Sequence, residues 1–146
     1  PRSTETLLQE FLSRGPNDAA IALVYESIAL HRWQQSQQSQ GEAYQIYYVT
    51  PTIETVSTAA IATRNVNKAT SEAAQTFIDF LTAPDQQATF IEYGFRAIDD
   101  GIDLSSIPKS PWAQSIPGAS IAAPPISPAP DQETLSEIVR LWQRAQ

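Results

Sequence analysis

The chain has 146 residues, of which 42% are hydrophobic and only 17% charged, and its formal net charge is −7. That length suits one ordinary domain with a real core, and the acidic balance argues against nucleic acid or anionic lipid as a partner, since phosphates call for Lys and Arg. Cysteine is absent and His31 is the single histidine, so disulfides, thiolate nucleophiles, zinc–thiolate sites and multi-histidine metal centres are excluded, and no cofactor is expected.

No apolar run approaches the ~20 residues that span a bilayer. The best run, Ala19–Val24, has the length of a strand. The chain lacks methionine and starts Pro1-Arg2, which sets the expectation that it was cut from a longer polypeptide and that a signal sequence lies outside it.

In chain order, Thr4–Ser13 reads as a helix. Leu7, Leu8, Phe11 and Leu12 fall at helical spacing, with Ser3 or Thr4 as the cap. Gly15-Pro16-Asn17-Asp18 stops it. Ala19–Val24 is continuously apolar, as in a strand covered on both faces. Tyr25-Glu26-Ser27 follows at its carboxyl end, and a second helix over about Ser27–Gln35 fades into a Gln/Ser tract and Gly41, read as a solvated helix end and loop. Tyr44–Thr50 is a second strand, ended or placed on an edge by Pro51. Thr52–Thr63 is a third extended run, and Arg64–Asn67 a turn.

The third helix, about Thr70–Leu81, has the clearest pattern: Ala73, Ala74, Phe77, Ile78 and Leu81 share one face. Pro84 opens a fourth, and Gly94 sits where a left-handed C-terminal cap belongs. Phe95–Ile98 resumes as a short extended piece. Seven prolines between Gly101 and Pro130 forbid regular structure there. That arm is expected to lie over the surface, anchored by Ile102, Leu104, Ile107, Trp112, Ile116, Ile121 and Ile126. Asp131 caps a final helix to about Ala145, with Leu135, Ile138, Val139, Leu141 and Trp142 apolar and Trp142 a second anchor. The expected class is α/β, a mixed sheet flanked by helices, organised as residues 1–100, a Pro-rich arm over 101–130 and a terminal helix over 131–146.

Three stretches carry a family resemblance. Asp18–Ser27 reads DAAIALVYES, Thr52–Arg64 is a long extended segment, and Ala69–Phe95 reads ATSEAAQTFIDFLTAPDQQATFIEYGF. Together they resemble the bacterial extracellular solute-binding proteins, most of all the branch that includes the molybdate- and sulfate-binding proteins. The resemblance implies a two-lobed periplasmic-binding-protein-like fold, of which this chain would be the C-terminal part. It implies an extracytoplasmic location, periplasmic or lipid-anchored, a small polar or anionic solute bound between lobes, and the membrane subunits of an ABC-type importer as partners. In the family, the segment matching Thr52–Arg64 crosses between lobes. An interaction or sensor domain of a larger envelope protein is the alternative, and no enzymatic role is expected.

Tyr25 and Ser27 match ligand-contact positions of that family, and Thr52 opens the crossing segment. Tyr25 also stands on its own placement, just past the carboxyl end of a strand, where open α/β sheets hold ligands. Ser27 combines a hydroxyl with a helix N-terminus, although an ordinary N-cap explains it equally well. Glu26-Ser27-Ile28 departs from the usual Thr-Asp-Ala. A carboxylate there repels an oxyanion, so either Glu26 points away or the solute is not a simple oxyanion. Unpaired edges and the Pro-rich arm further lead to an expectation of self-association as a dimer, through strand or arm exchange, unless the arm folds back on its own chain.

Overall fold

The computed structural model describes residues 3–40, 44–99 and 101–145. The chain divides into two compact units. The first comprises Pro1–Tyr47 and Ala59–Ala122, the second Tyr48–Thr58 and Ala123–Gln146.

In the first unit, helix α1 (Thr4–Arg14) starts on Ser3, whose hydroxyl accepts the Thr6 N–H at 3.1 Å, and ends where Gly15 donates to Phe11 O. It packs on α2 (Glu26–Gln40). Helix α2 thus begins one residue before its expected start and runs five residues past Gln35, through the Gln/Ser tract that reads as a loop. Gln is a good helix former, and the Ser36 hydroxyl bonds back to Trp33 O at 2.6 Å, so the tract has little reason to leave the helix. Gly41 lies outside the described residues.

Helices α3 (Lys68–Thr82) and α4 (Pro84–Glu92) form a packed pair. Asn67 caps α3 through Thr70 N–H, and Pro84 takes the first turn of α4, where its missing N–H costs nothing. The end of α4 is a Schellman turn: Phe95 N–H reaches Phe90 O at 3.1 Å and Gly94 N–H reaches Ile91 O at 2.9 Å. Gly94 has φ 84°, and a Cβ there would sit 2.8 Å from Ser27 O, so this turn lies directly on the first turn of α2. Buried Gln87 ties α4 to the chain beyond: its amide donates to Leu81 O at 2.8 Å and accepts from Ile98 N–H at 3.1 Å.

Residues 101–122 fold back onto this unit. Leu104, Ser110, Pro111, Trp112 and Ile116 are buried, and two single-turn 3₁₀ segments, Leu104–Ser106 and Pro111–Ala113, pack on each other. Ile46 N–H donates to Pro117 O at 3.0 Å. The core is made by Leu8, Ala29, Leu30, Trp33, Ile46, Ile91, Leu104, Trp112 and Ile116.

The expected mixed sheet does not form among the described residues. The one β pairing is an isolated parallel bridge, Thr52 to Ile126, in the second unit. Ala19–Val24, Tyr44–Thr50 and Thr52–Thr63 carry strand-like sequence without forming a ladder. A strand exists only through a neighbour's N–H and C=O groups, and the pattern that marks a strand says nothing of whether that neighbour is present. Nor is Ala19–Val24 covered on both faces: Ile21 is 80% and Leu23 75% exposed, while Ala22 and Val24 are half-buried.

In the second unit, Thr52 N–H donates to Pro125 O at 2.9 Å and Ser127 N–H to Thr52 O at 2.7 Å. Helix α5 (Gln132–Arg144) is capped by Asp131, which accepts the Thr134 N–H at 2.8 Å. That backbone bond holds the Asp131 carboxyl below its ordinary range. The apolar residues of α5 are all exposed, and Trp142, expected as an anchor, is 67% exposed. Among the described residues, no helix is long and apolar enough to cross a membrane.

Candidate functional site

The best-built polar centre lies at the N-terminus of α2. Tyr25 is the residue before the helix, and its carbonyl accepts the N–H groups of Ile28 and Ala29. Glu26 and Ser27 occupy the first turn, so Ser27 is inside the helix and not its cap. Glu26 meets Arg96 side by side: Arg96 Nε donates to one carboxylate oxygen at 2.9 Å and Nη2 to the other at 2.8 Å. The same guanidinium donates to Ser120 O (2.9 Å) and Ile121 O (2.7 Å), and lies 5.4 Å from the centre of the Trp112 ring. Trp112 Nε1 also donates to Ser120 O at 3.2 Å. Both charged side chains are about a quarter exposed.

The fork shape of a guanidinium suits this arrangement. One edge satisfies a carboxylate, the remaining N–H groups reach two carbonyls, and the flat face rests on indole. The consequence for the neighbouring helix end is electrostatic. Glu26 does not stand as a bare anion beside Ser27, because a cation sits against both its oxygens. Of the two options left open by the sequence, the structure bears on the side chain alone: Glu26 is turned to Arg96.

Ser27 lies on the wall of a pocket of about 130 Å³, with His31, Arg32, Tyr93 and Phe95 among its other walls. Arg32 is ion-paired with Glu5, which also lines the pocket. A second pocket of about 290 Å³ shares His31 and Tyr93 with the first and adds Glu92 and Lys109. The shared rings stand 4.9 Å apart. These walls offer a hydroxyl, an imidazole, a phenol and balanced charges, which suits weak polar binding. Among the described residues, no group of three or more His, Asp or Glu is placed to hold a metal ion.

Of the residues singled out from sequence, Tyr25 and Ser27 are neighbours at the start of α2, but of the two only Ser27 lines either of these pockets, and Tyr25 is 55% exposed. Thr52 belongs to the second unit, where its backbone makes the bridge to Ile126. Arg96, the organiser of the centre, was not anticipated. Its one sequence signal was a lone basic residue directly after the Gly94-Phe95 helix stop.

Tyr44, just after the residues that lie outside the description, is fixed to the same helix. Its hydroxyl donates to Ala29 O, and its own carbonyl accepts Trp33 Nε1–H at 3.2 Å. Burial pushes the phenol well above its ordinary range, and the Arg32 charge opposes the shift.

No curated protein and no solved structure matches the chain. Residues 2–96 match the family model described as bacterial extracellular solute-binding protein. That span includes α1 to α4, the Tyr25–Ser27 turn and Arg96. The match extends over more than half of the sequence, and the chain therefore belongs to the bacterial extracellular solute-binding protein family.

Proposed function

We propose that the chain serves as part of a two-lobed, extracytoplasmic solute-binding component of an ABC-type importer, located in the periplasm or lipid-anchored at the envelope. Its solute is small and polar or anionic, with molybdate- and sulfate-like oxyanions as the first class to test. Tyr25 and Ser27 line one wall of the cleft, and Thr52 contributes from the crossing segment. The importer's membrane subunits are the protein partners, and no reaction is assigned.

The observation that carries this reading is the Glu26–Arg96 pair inside the family-matched span. It offsets the Glu26 charge beside Ser27, as Arg32 offsets that of Glu5 on the wall of the same pocket. Closure of lobes around a solute supplies the enclosure that the open pocket beside Ser27 lacks. Isothermal titration with molybdate, sulfate and uncharged polar solutes tests it, comparing Tyr25→Phe with the parent. A phenol that donates to the solute predicts a loss of about 5- to 30-fold in affinity on its removal. Unchanged affinity removes the Tyr25 hydroxyl from the site, and no binding by any solute class in a protein carrying both lobes removes the transport reading.

A second reading is favoured by α5. A helix whose Leu135, Ile138, Val139 and Trp142 are all exposed is suited to meet another protein, as in an interaction or sensor domain of the envelope. Crosslinking that captures an envelope protein through α5, in cells that take up solute normally without this chain, would favour it over transport.

A further inference from the structure

Two charged residues stand where local chemistry disfavours them, and both line the pocket of about 290 Å³. Lys109 has φ 63°. It follows Pro108 at the centre of a tight turn, closed by Ser110 N–H on Ile107 O at 3.1 Å. Proline fixes a negative φ at the second position of that turn, so the turn is of type II, and its third position ordinarily belongs to glycine. Ser110 anchors it: the residue is fully buried, and its hydroxyl accepts Trp112 N–H at 3.2 Å. Glu92 is the last residue of α4, where the negative pole of the helix opposes a carboxylate. Among the described residues, neither the Lys109 ammonium nor the Glu92 carboxylate makes an ion pair or hydrogen bond, with each other or with any other group. Backbone strain and misplaced charge of this kind concentrate where a chain binds a ligand.

We propose that this pocket is a binding site for a small zwitterion of the α-amino-acid class, with its carboxylate on Lys109 and its ammonium on Glu92. The walls carry opposite charges that do not neutralise each other. A ligand with a single charge satisfies one of them and is repelled by the other, whereas a zwitterion meets both. The negative pole of α4 adds to Glu92 on the ammonium side. The remaining walls include buried Leu30 and Pro111 and the His31 and Tyr93 rings, 4.9 Å apart, so an aliphatic side chain has apolar surface to rest on.

The site is distinct from the cleft wall proposed above. Tyr25, Ser27 and Thr52 do not line it, and all its walls belong to the first unit. Lys109 and Tyr93 are exposed, so the affinity is low, roughly millimolar.

Titration of the isotope-labelled chain with L-leucine, read by the NMR shifts of its backbone amides, tests the proposal. Two analogues isolate the charges: isocaproate is leucine without its ammonium group, and isoamylamine is leucine without its carboxylate. The expected result is a saturable shift at Tyr93, Lys109 and Gln114 with L-leucine, and at least fivefold weaker binding of either analogue. Glu92→Gln, at a half-buried carboxylate, should weaken L-leucine about tenfold. Lys109→Gly should weaken it about threefold or more, as befits an exposed ammonium. The Tm of Lys109→Gly should equal or exceed that of the parent, because glycine relieves the positive φ. Weaker binding by a variant that is no less stable cannot come from a damaged fold. No saturable shift at these amides up to about 50 mM L-leucine overturns the proposal. Isocaproate binding as tightly as L-leucine overturns it in favour of a merely apolar surface, and affinity unchanged in both variants overturns it in favour of another place on the chain. Failure here is separable from failure of the oxyanion reading, which is read with molybdate and sulfate and in Tyr25→Phe.

Discussion

Arg96→Ala is expected to destabilise the first unit by about 2–4 kcal/mol. The argument is one of stranded partners. Removal of the guanidinium leaves Glu26 three-quarters buried without its bidentate donor, and leaves the Ser120 and Ile121 carbonyls each short of a bond. It also takes the cation from the Trp112 face. A buried carboxylate deprived of its counter-ion costs more than the pair contributed, because desolvation is no longer offset. Arg96→Lys should recover only a small part, since an ammonium is a point charge and cannot serve a carboxylate edge and two carbonyls together. Glu26→Gln with Arg96→Ala in a double-mutant cycle should show a coupling above about 1 kcal/mol in urea denaturation. A coupling near zero would mean that the two side chains do not meet in solution.

Gly118→Ala is expected to cost about 3 kcal/mol or more. Gly118 has φ 82°, in the left-handed region where a Cβ is strained. The added Cβ would also land inside contact distance of Ile46 O, a backbone atom that cannot rotate aside. The Pro117–Gly118 turn must therefore lift away from Ile46, and the Ile46 N–H bond to Pro117 O is lost with it. Thermal unfolding of the variant against the parent measures this. A cost under about 1 kcal/mol would show that the turn does not lie against Ile46.

What the sequence made legible was local. Ser3, Gly15, Pro84, Gly94 and Asp131 each act on the helix end beside them, and each stands where its chemistry requires. The clear apolar face of α3 gave that helix within two residues at either end. Pairing was not legible. Ile21, Leu23, Tyr47 and Val49 have the composition of a sheet, yet all four are exposed, because a strand's partner is encoded elsewhere in a sequence or in another chain. The site divides along the same line. Tyr25 and Ser27 could be named from a turn after an apolar run, whereas Arg96 meets Glu26 from 70 positions away. Glu26 raised the question as a carboxylate out of place, and the answer was a long-range contact that no local pattern announces.

The three tryptophans make the protein its own optical probe. Trp33 and Trp112, both in the first unit, are 8% and 6% exposed, with their indole N–H groups held by Tyr44 O and Ser120 O. Trp142, in the second unit, is 67% exposed. Native emission is accordingly expected to contain a blue component shielded from iodide and a red component open to it. Loss of the blue band on denaturation reports the first unit, while the quenchable red band follows α5. Comparison of the two midpoints then shows, without any label, whether the two units lose structure together or in sequence.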